Sequence, residues 1–202
     1  CTDSQLDAIA DLADQYSFGL VRVTHRQNLV LADIKQADLF TLWQQLEVLN
    51  LATPNIGKAT DMICCPGLDY CGLANAGSIE IAKGINETLD SLDYIHDLGD
   101  LKINISGCMN GCAHQSVGHI GILGVDKKGV EWYQVTLGGS SENDAAIGMR
   151  LGPAVSKEDI AHVVKILLDV YIEQRADEHE TFLATVRRIG VSPFKEKVYA
   201  AD

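Results

Sequence analysis

The sequence predicts an α+β fold in two parts, a small module over residues 1–53 and a larger mixed α/β part over residues 54–202. Three observations predict it. A helix–strand–strand–helix pattern fills the first fifty residues. A Pro- and Gly-bearing stretch, "NLATPNIG" at 50–57, then breaks the periodicity. Beyond it, short alternating runs mix with long helical stripes.

In order, "DSQLDAIADLADQY" at 3–16 spaces Leu6, Ile9, Ala10, Leu12 and Ala13 on one helical face, with Asp3 or Ser4 placed to cap it. "GLVRVTHRQNLVLADI" reads as two short strands broken near residues 25–28. Leu20, Arg22 and Thr24 take one face and Val21 and Val23 the other; the second strand covers residues 29–34. Residues 35–49 read as a helix, and the module lacks an opening strand. Residues 78–92 predict a helix with Ile79, Ile81, Ala82, Ile85 and Leu89 inward. "LKINIS" at 101–106, "HIGILGV" and "EWYQVTLGG" predict strands. Residues 157–176 and 178–189 predict two further helices. Trp43 and Trp132 read as core, and "GGSSENDAAIG" at 138–148 as a mobile surface loop.

The bulk numbers restrict function. A formal net charge of −12 over 202 residues opposes the cation-driven binding of nucleic acid and of anionic membrane surfaces. No apolar run is long enough to span a bilayer, and no signal peptide stands at the start, so the expected location is cytoplasmic. The chain opens on Cys1 rather than Met, which reads as a fragment or a processed product.

There are six cysteines, and all but Cys1 fall within residues 64–112. The chain is too large to need a disulfide scaffold, so the clustering points to metal or redox chemistry. "CPGLDYC" sets Cys65 and Cys71 with five residues between, and "CMNGC" sets Cys108 and Cys112 with three between. Four thiolates suit zinc or an iron–sulfur cluster. The five-residue gap is loose for a zinc knuckle and suits a wider cluster. No Asp, Glu, Lys or Arg lies in residues 103–125, and Asp69 is the only one in residues 62–79. A lining without acids suits an anionic cluster, and Gly67, Gly72, Gly107 and Gly111 allow backbone N–H groups to approach the sulfurs. Cys1 and Cys64 read as small hydrophobes.

Taken together, "CPGLDYCGLA", "ISGCMNGC" and "HIGILG" resemble the sulfite and nitrite reductases that carry sirohaem and a 4Fe–4S cluster. That family's C-x5-C and C-x3-C signature falls on Cys65, Cys71, Cys108 and Cys112. The resemblance covers essentially the whole chain. It implies a ferredoxin-like half-domain followed by a mixed α/β sirohaem/4Fe–4S domain, together the C-terminal half of the enzyme. It also implies that Cys112 bridges the cluster to the sirohaem iron. Arg22, Thr24, Gln27 and Asn28 in "RVTHRQNLVL", and Asn110, become candidate sirohaem contacts. His114 and His119 are weighed as proton donors and read as structural; "AHQS" after Cys112 departs from the family's G-x-H-H.

The activity implied is six-electron reduction of sulfite to sulfide, with nitrite to ammonia as the alternative. "HIGILGVDKKG" leans to the assimilatory sulfite side. Implied partners are the N-terminal half, which carries the main substrate-binding basic residues, and a ferredoxin or flavoprotein donor. The isolated chain is then expected to be inactive. Two readings of another class stand beside this one: a non-catalytic iron–sulfur electron-transfer or binding module, and a structural zinc domain.

Overall fold

The computed structural model describes residues 1–89 and 91–200, and the chain divides into two units, 1–54 and 55–202. In the first unit, α1 (Asp3–Tyr16) buries Ile9, Leu12 and Ala13. Its cap is Thr2, not Asp3 or Ser4. Thr2 Oγ1 accepts the Gln5 N–H at 3.2 Å and Gln5 Oε1 accepts the Thr2 N–H at 2.9 Å, a reciprocal capping box. Strands β1 (Val21–Val23) and β2 (Leu29–Leu31) pair antiparallel with Arg22 opposite Val30. A 3-10 turn leads into α2 (Leu39–Val48), which buries Leu42. Gln5 Nε2 donates to the Leu49 carbonyl at 2.8 Å and Gln45 Nε2 to the Tyr16 hydroxyl at 2.9 Å, tying the two helices. Trp43 is 43% exposed, so it is not core; a two-stranded sheet gives it too little to pack against.

The second unit carries a sheet in the order β3 (Ile63–Cys64), β4 (Ile103–Ser106), β5 (Ile120–Lys127), β6 (Val130–Leu137), β7 (Met149–Arg150), with β8 (Val155–Ser156) also on β6. β3, β4 and β5 run parallel, and β5, β6 and β7 antiparallel. Besides the short α3 (Gly67–Tyr70), the described residues of the unit form α4 (Ile79–Thr88), α5 (Leu92–Asp97), α6 (Ile160–Gln174), α7 (Phe182–Ile189) and α8 (Ser192–Val198). The expected helix over 78–92 covers α4; residue 90 lies outside the described residues. One core joins sheet to helices: Ile103, Ile105, Ile120, Ile122, Tyr133 and Val135 meet Ile85, Val164, Leu167, Leu168, Phe182 and Phe194. Trp132 is half-buried at the other side of β6, beneath the Lys127 ammonium at 4.2 Å.

Unlike a half-exposed strand, β4 is buried on both faces. Its second face is covered by the chain that follows Cys112. Asn104 Nδ2 donates to the Ala113 carbonyl at 2.8 Å, and the Ala113 N–H donates to Ser106 Oγ at 3.2 Å. The loop expected to be mobile, 138–148, is fastened. Ser140 and Ala146 form a β-bridge, Lys102 pairs with Glu142, Arg187 pairs with Asp144, and the Gly148 N–H donates to the Ser116 carbonyl at 2.8 Å.

Candidate metal centre

The sheet brings the two cysteine loops side by side. Cys64 pairs with Ile105 across β3 and β4, so the chain leaves β3 at Cys65 level with Ser106 and Gly107. The Cys65 N–H donates to the Ile105 carbonyl at 3.1 Å, and the Gly107 N–H donates to Cys65 Sγ at 3.1 Å. The return limb of the first loop closes on the same residue: the N–H groups of Asn75 and Ala76 donate to the Gly107 carbonyl at 2.9 and 3.0 Å.

This interlock needs glycine. A Cβ on Gly107 would stand 2.5 Å from the Ala76 carbonyl oxygen and 3.0 Å from Gly67 Cα. Gly67 has φ +59°, and its own Cβ would strike Ser78. In the second loop, the Gly111 N–H donates to the Cys108 carbonyl at 3.2 Å and the His114 N–H to the Gly111 carbonyl at 2.7 Å. These turns carry the chain from Cys108 through Cys112 without regular structure.

Burial of the thiols is graded. Cys108 is buried, Cys65 and Cys71 are half-buried, and Cys112 is exposed. None of the six cysteines is bridged. Cys1 is exposed, so it is not the buried hydrophobe expected; Cys64 is half-buried at the edge of the sheet and packs against the core as a small hydrophobe. Burial, then the neighbouring Cys65 and Asp69, push the Cys64 thiol above its ordinary value.

Among the described residues, no three His, Cys, Asp or Glu side chains are gathered closely enough to hold a single ion. Gln115 Oε1 is buried and has no partner among the described residues; it lies next to Gly111. Loops whose one charged residue is Asp69, and a preformed N–H···S bond, fit a four-iron cluster.

Two family models match the chain: "Nitrite and sulphite reductase 4Fe-4S domain" over residues 58–201 and "Nitrite/Sulfite reductase ferredoxin-like half domain" over residues 1–49. The chain belongs to this nitrite and sulphite reductase family. A ferredoxin–nitrite reductase of Synechococcus elongatus is 30% identical over 88% of this chain and 35% of its own length. A ferredoxin sulfite reductase of Mycolicibacterium paratuberculosis is 31% identical over 84% of this chain and 32% of its own length. The chain therefore spans about a third of these curated relatives. An assimilatory-type sulfite reductase of Nitratidesulfovibrio vulgaris is 25% identical over 97% of this chain and 82% of its own length. The solved Mycobacterium tuberculosis NirA protein superposes with a TM-score of 0.78 at 27% identity, over 95% of this chain and 36% of its own. The fold is thus the family's ferredoxin-like half-domain plus its mixed α/β domain, and the family implies a 4Fe–4S cluster and sirohaem as cofactors.

The other candidate residues fall into separate groups. Arg22, Thr24, Gln27 and Asn28 share the β1–β2 hairpin. Thr24 Oγ1 accepts the Asn28 N–H at 3.0 Å, and Gln27 holds the turn at φ +64°. Arg22 is exposed, 3.9 Å from Asp33. Asn110 is exposed between Cys108 and Cys112. His114 is exposed at φ +53°; His119 is buried, and its Nδ1 accepts the Lys102 N–H at 3.3 Å.

Three residues that touch the first cysteine loop escaped the sequence reading: Ser78, Glu131 and Tyr133. The available signal was Glu131 in register with Tyr133, Val135 and Leu137, an acid closing an otherwise apolar inward stripe.

Proposed function

We propose that Cys65, Cys71, Cys108 and Cys112 ligate a 4Fe–4S cluster, and that this chain is the cluster-bearing C-terminal half of a sirohaem-dependent enzyme reducing sulfite to sulfide. The observation that carries the reading is the interlock at Gly107. One residue donates to Cys65 Sγ, accepts from the return limb of the first loop, and precedes Cys108 in the second. When bound, the cluster and sirohaem supply one-electron storage beside the iron that receives the anion.

The chain's own residues hold and tune that pair. The four thiolates anchor the cluster, and the Gly107 N–H favours the added negative charge of its reduced form. Cys112, the exposed one of the four, would also hold sirohaem. Arg22, Thr24, Gln27, Asn28 and Asn110 offer donors to sirohaem carboxylates. The basic residues that hold the substrate come from the N-terminal half, and electrons from a ferredoxin or flavoprotein.

Sulfite is favoured by the assimilatory-type relative; nitrite reduction to ammonia is the alternative, since relatives of both names match at 30% and 31% identity. The same relative favours a second reading of extent. The match covers 82% of it, so a chain of this size can be most of a reductase.

The test is expression with a sirohaem supply, anaerobic purification, and turnover of sulfite and of nitrite with reduced methyl viologen. It is run on this chain and on the chain joined to an N-terminal half. Sirohaem bands and faster sulfite turnover in the joined protein, with this chain silent, are expected. Turnover by this chain alone establishes the second reading. Cluster iron without sirohaem in the joined protein leaves a non-catalytic iron–sulfur module instead.

A further inference from the structure

The first cysteine loop is gripped from outside the cysteine motifs. The Gly77 N–H donates to Glu131 Oε2 at 2.6 Å, and the Tyr133 hydroxyl lies 3.0 Å from both the Gly77 carbonyl and Glu131 Oε2. Both peptide groups of Gly77 are therefore held by one strand, β6. The grip is rigid: Tyr133 is fully buried, opposite Gly124 on β5 and Val155 on β8.

The next residue carries the grip to a thiol. Ser78 is fully buried; its hydroxyl donates to the Cys65 carbonyl at 2.5 Å and its oxygen lies 3.6 Å from Cys65 Sγ. Lys157 joins Glu131, at 3.4 Å, to Glu80 in the first turn of α4, at 2.8 Å. The Gly77 N–H, helped by Tyr133 and Lys157, holds the Glu131 carboxyl below its ordinary range, against its partial burial. A charged acceptor makes the bond to Gly77 stronger than a neutral one.

We propose that Glu131 and Tyr133 are positioning residues: through Gly77 they hold Ala76, whose N–H binds the Gly107 carbonyl, and Ser78, which binds the Cys65 carbonyl; they so fix the Gly107 N–H on Cys65 Sγ and set the reduction potential of the cluster. The inference rests on the ligand assignment proposed above. Donors to a ligating sulfur stabilise the more negative, reduced cluster. Loosening the grip frees the limb that holds the Gly107 carbonyl and lets the Gly107 N–H drift from the sulfur, which lowers the potential.

The test uses the anaerobically reconstituted chain and its Glu131→Ala, Tyr133→Phe and Glu131→Gln variants. Iron and labile sulfide give loading, circular dichroism gives folding, and an EPR-monitored redox titration gives the potential. Glu131→Ala and Tyr133→Phe are expected to load, to titrate at more negative potential, and to show an altered reduced-cluster signal. Glu131→Gln keeps an oxygen acceptor for the Gly77 N–H and is expected to stay nearest the parent. A variant combining Glu131→Ala with Tyr133→Phe is expected to shift by less than the sum, because both residues act on Gly77. If Glu131→Ala fails to fold, Tyr133→Phe and Glu131→Gln still decide. Variants that load less cluster but keep the parent's potential and signal overturn the inference and leave the grip structural. A parent chain that takes up no cluster removes the ligand assignment, and this inference with it.

Discussion

One methyl group at position 107 is expected to part the two cysteine loops. Gly107→Ala puts a Cβ 2.5 Å from the Ala76 carbonyl, backbone that has no room to swing away. Overpacking of this kind costs about 1–3 kcal/mol. The larger effect is local: the N–H···Sγ bond to Cys65 is lost. Iron and sulfide analysis of the reconstituted variant should show cluster uptake reduced well beyond the change in melting temperature. His119 gives a second expectation at this scale. Burial, then Lys102, with Arg187 also lowering it, holds its pKa down to about 4 from an ordinary 6.5, against Asp144 and Glu142. Below pH 6.5 the unfolded chain therefore binds the proton that the folded chain refuses. The contribution is whole above pH 6.5 and lost as pH falls toward 4, by about 3 kcal/mol. Urea melts at pH 7 and pH 4.5 should show a smaller drop for His119→Gln than for the parent. The cysteine spacings and the run without acids were legible in the residues alone. The Glu131–Gly77 bond was not, because 54 positions separate its partners and only the sheet register joins them.

At the scale of elements, long periodic segments were legible and short ones were not. α1 and α6 carry repeated apolar stripes, and the β5–β6 hairpin alternates over eight residues in each strand. β3, β7 and β8 hold two residues each, and α3 four, too few for any period to register. α8 carries Pro193 in its first turn and follows Gly190, punctuation that reads as loop until Phe194 finds the core. β4 misled differently: Asn104 and Ser106 alternate with isoleucines as surface residues would, yet they bind the chain after Cys112. Asn104→Ala removes a buried donor to the Ala113 carbonyl, and its expected effect is a loss of about 1–3 kcal/mol. The variant should also expose residues 113–118 to faster amide exchange. An unchanged exchange rate there would show that the asparagine does not hold this cover. The cap of α1 offers a milder case. Thr2→Ala breaks the capping box and is expected to destabilise the first unit by about 1 kcal/mol.

At the scale of the molecule, the two units differ sharply in core. The continuous apolar cluster runs from Ala59 to Phe194, wholly within the second unit. The first unit fully buries only Ile9, Leu12, Ala13 and Leu42 among its apolar side chains, and leaves Phe18, Val23, Phe40 and Val48 exposed. A unit of this size with so small a core is marginal by itself. Trp43 and Trp132 report on one unit each, so single-tryptophan variants (Trp43→Phe and Trp132→Phe) separate the two in a urea titration. The Trp43 signal is expected to change at lower urea than the Trp132 signal. Coincident midpoints would show that the units unfold together. Among the described residues no helix is long and apolar enough to cross a membrane.

Four thiolates from two interlocked loops are proposed to hold one cluster. This assignment is tested most directly by anaerobic reconstitution of the chain with ferrous iron and sulfide, followed by metal analysis and EPR of the reduced sample. Iron and labile sulfide in equal amounts, no zinc, and a signal of a reduced four-iron cluster are expected. Each of Cys65→Ser, Cys71→Ser, Cys108→Ser and Cys112→Ser should diminish that signal, while Cys64→Ser should retain it. Zinc uptake without labile sulfide, or a cluster indifferent to loss of Cys71 and Cys108, would contradict the assignment.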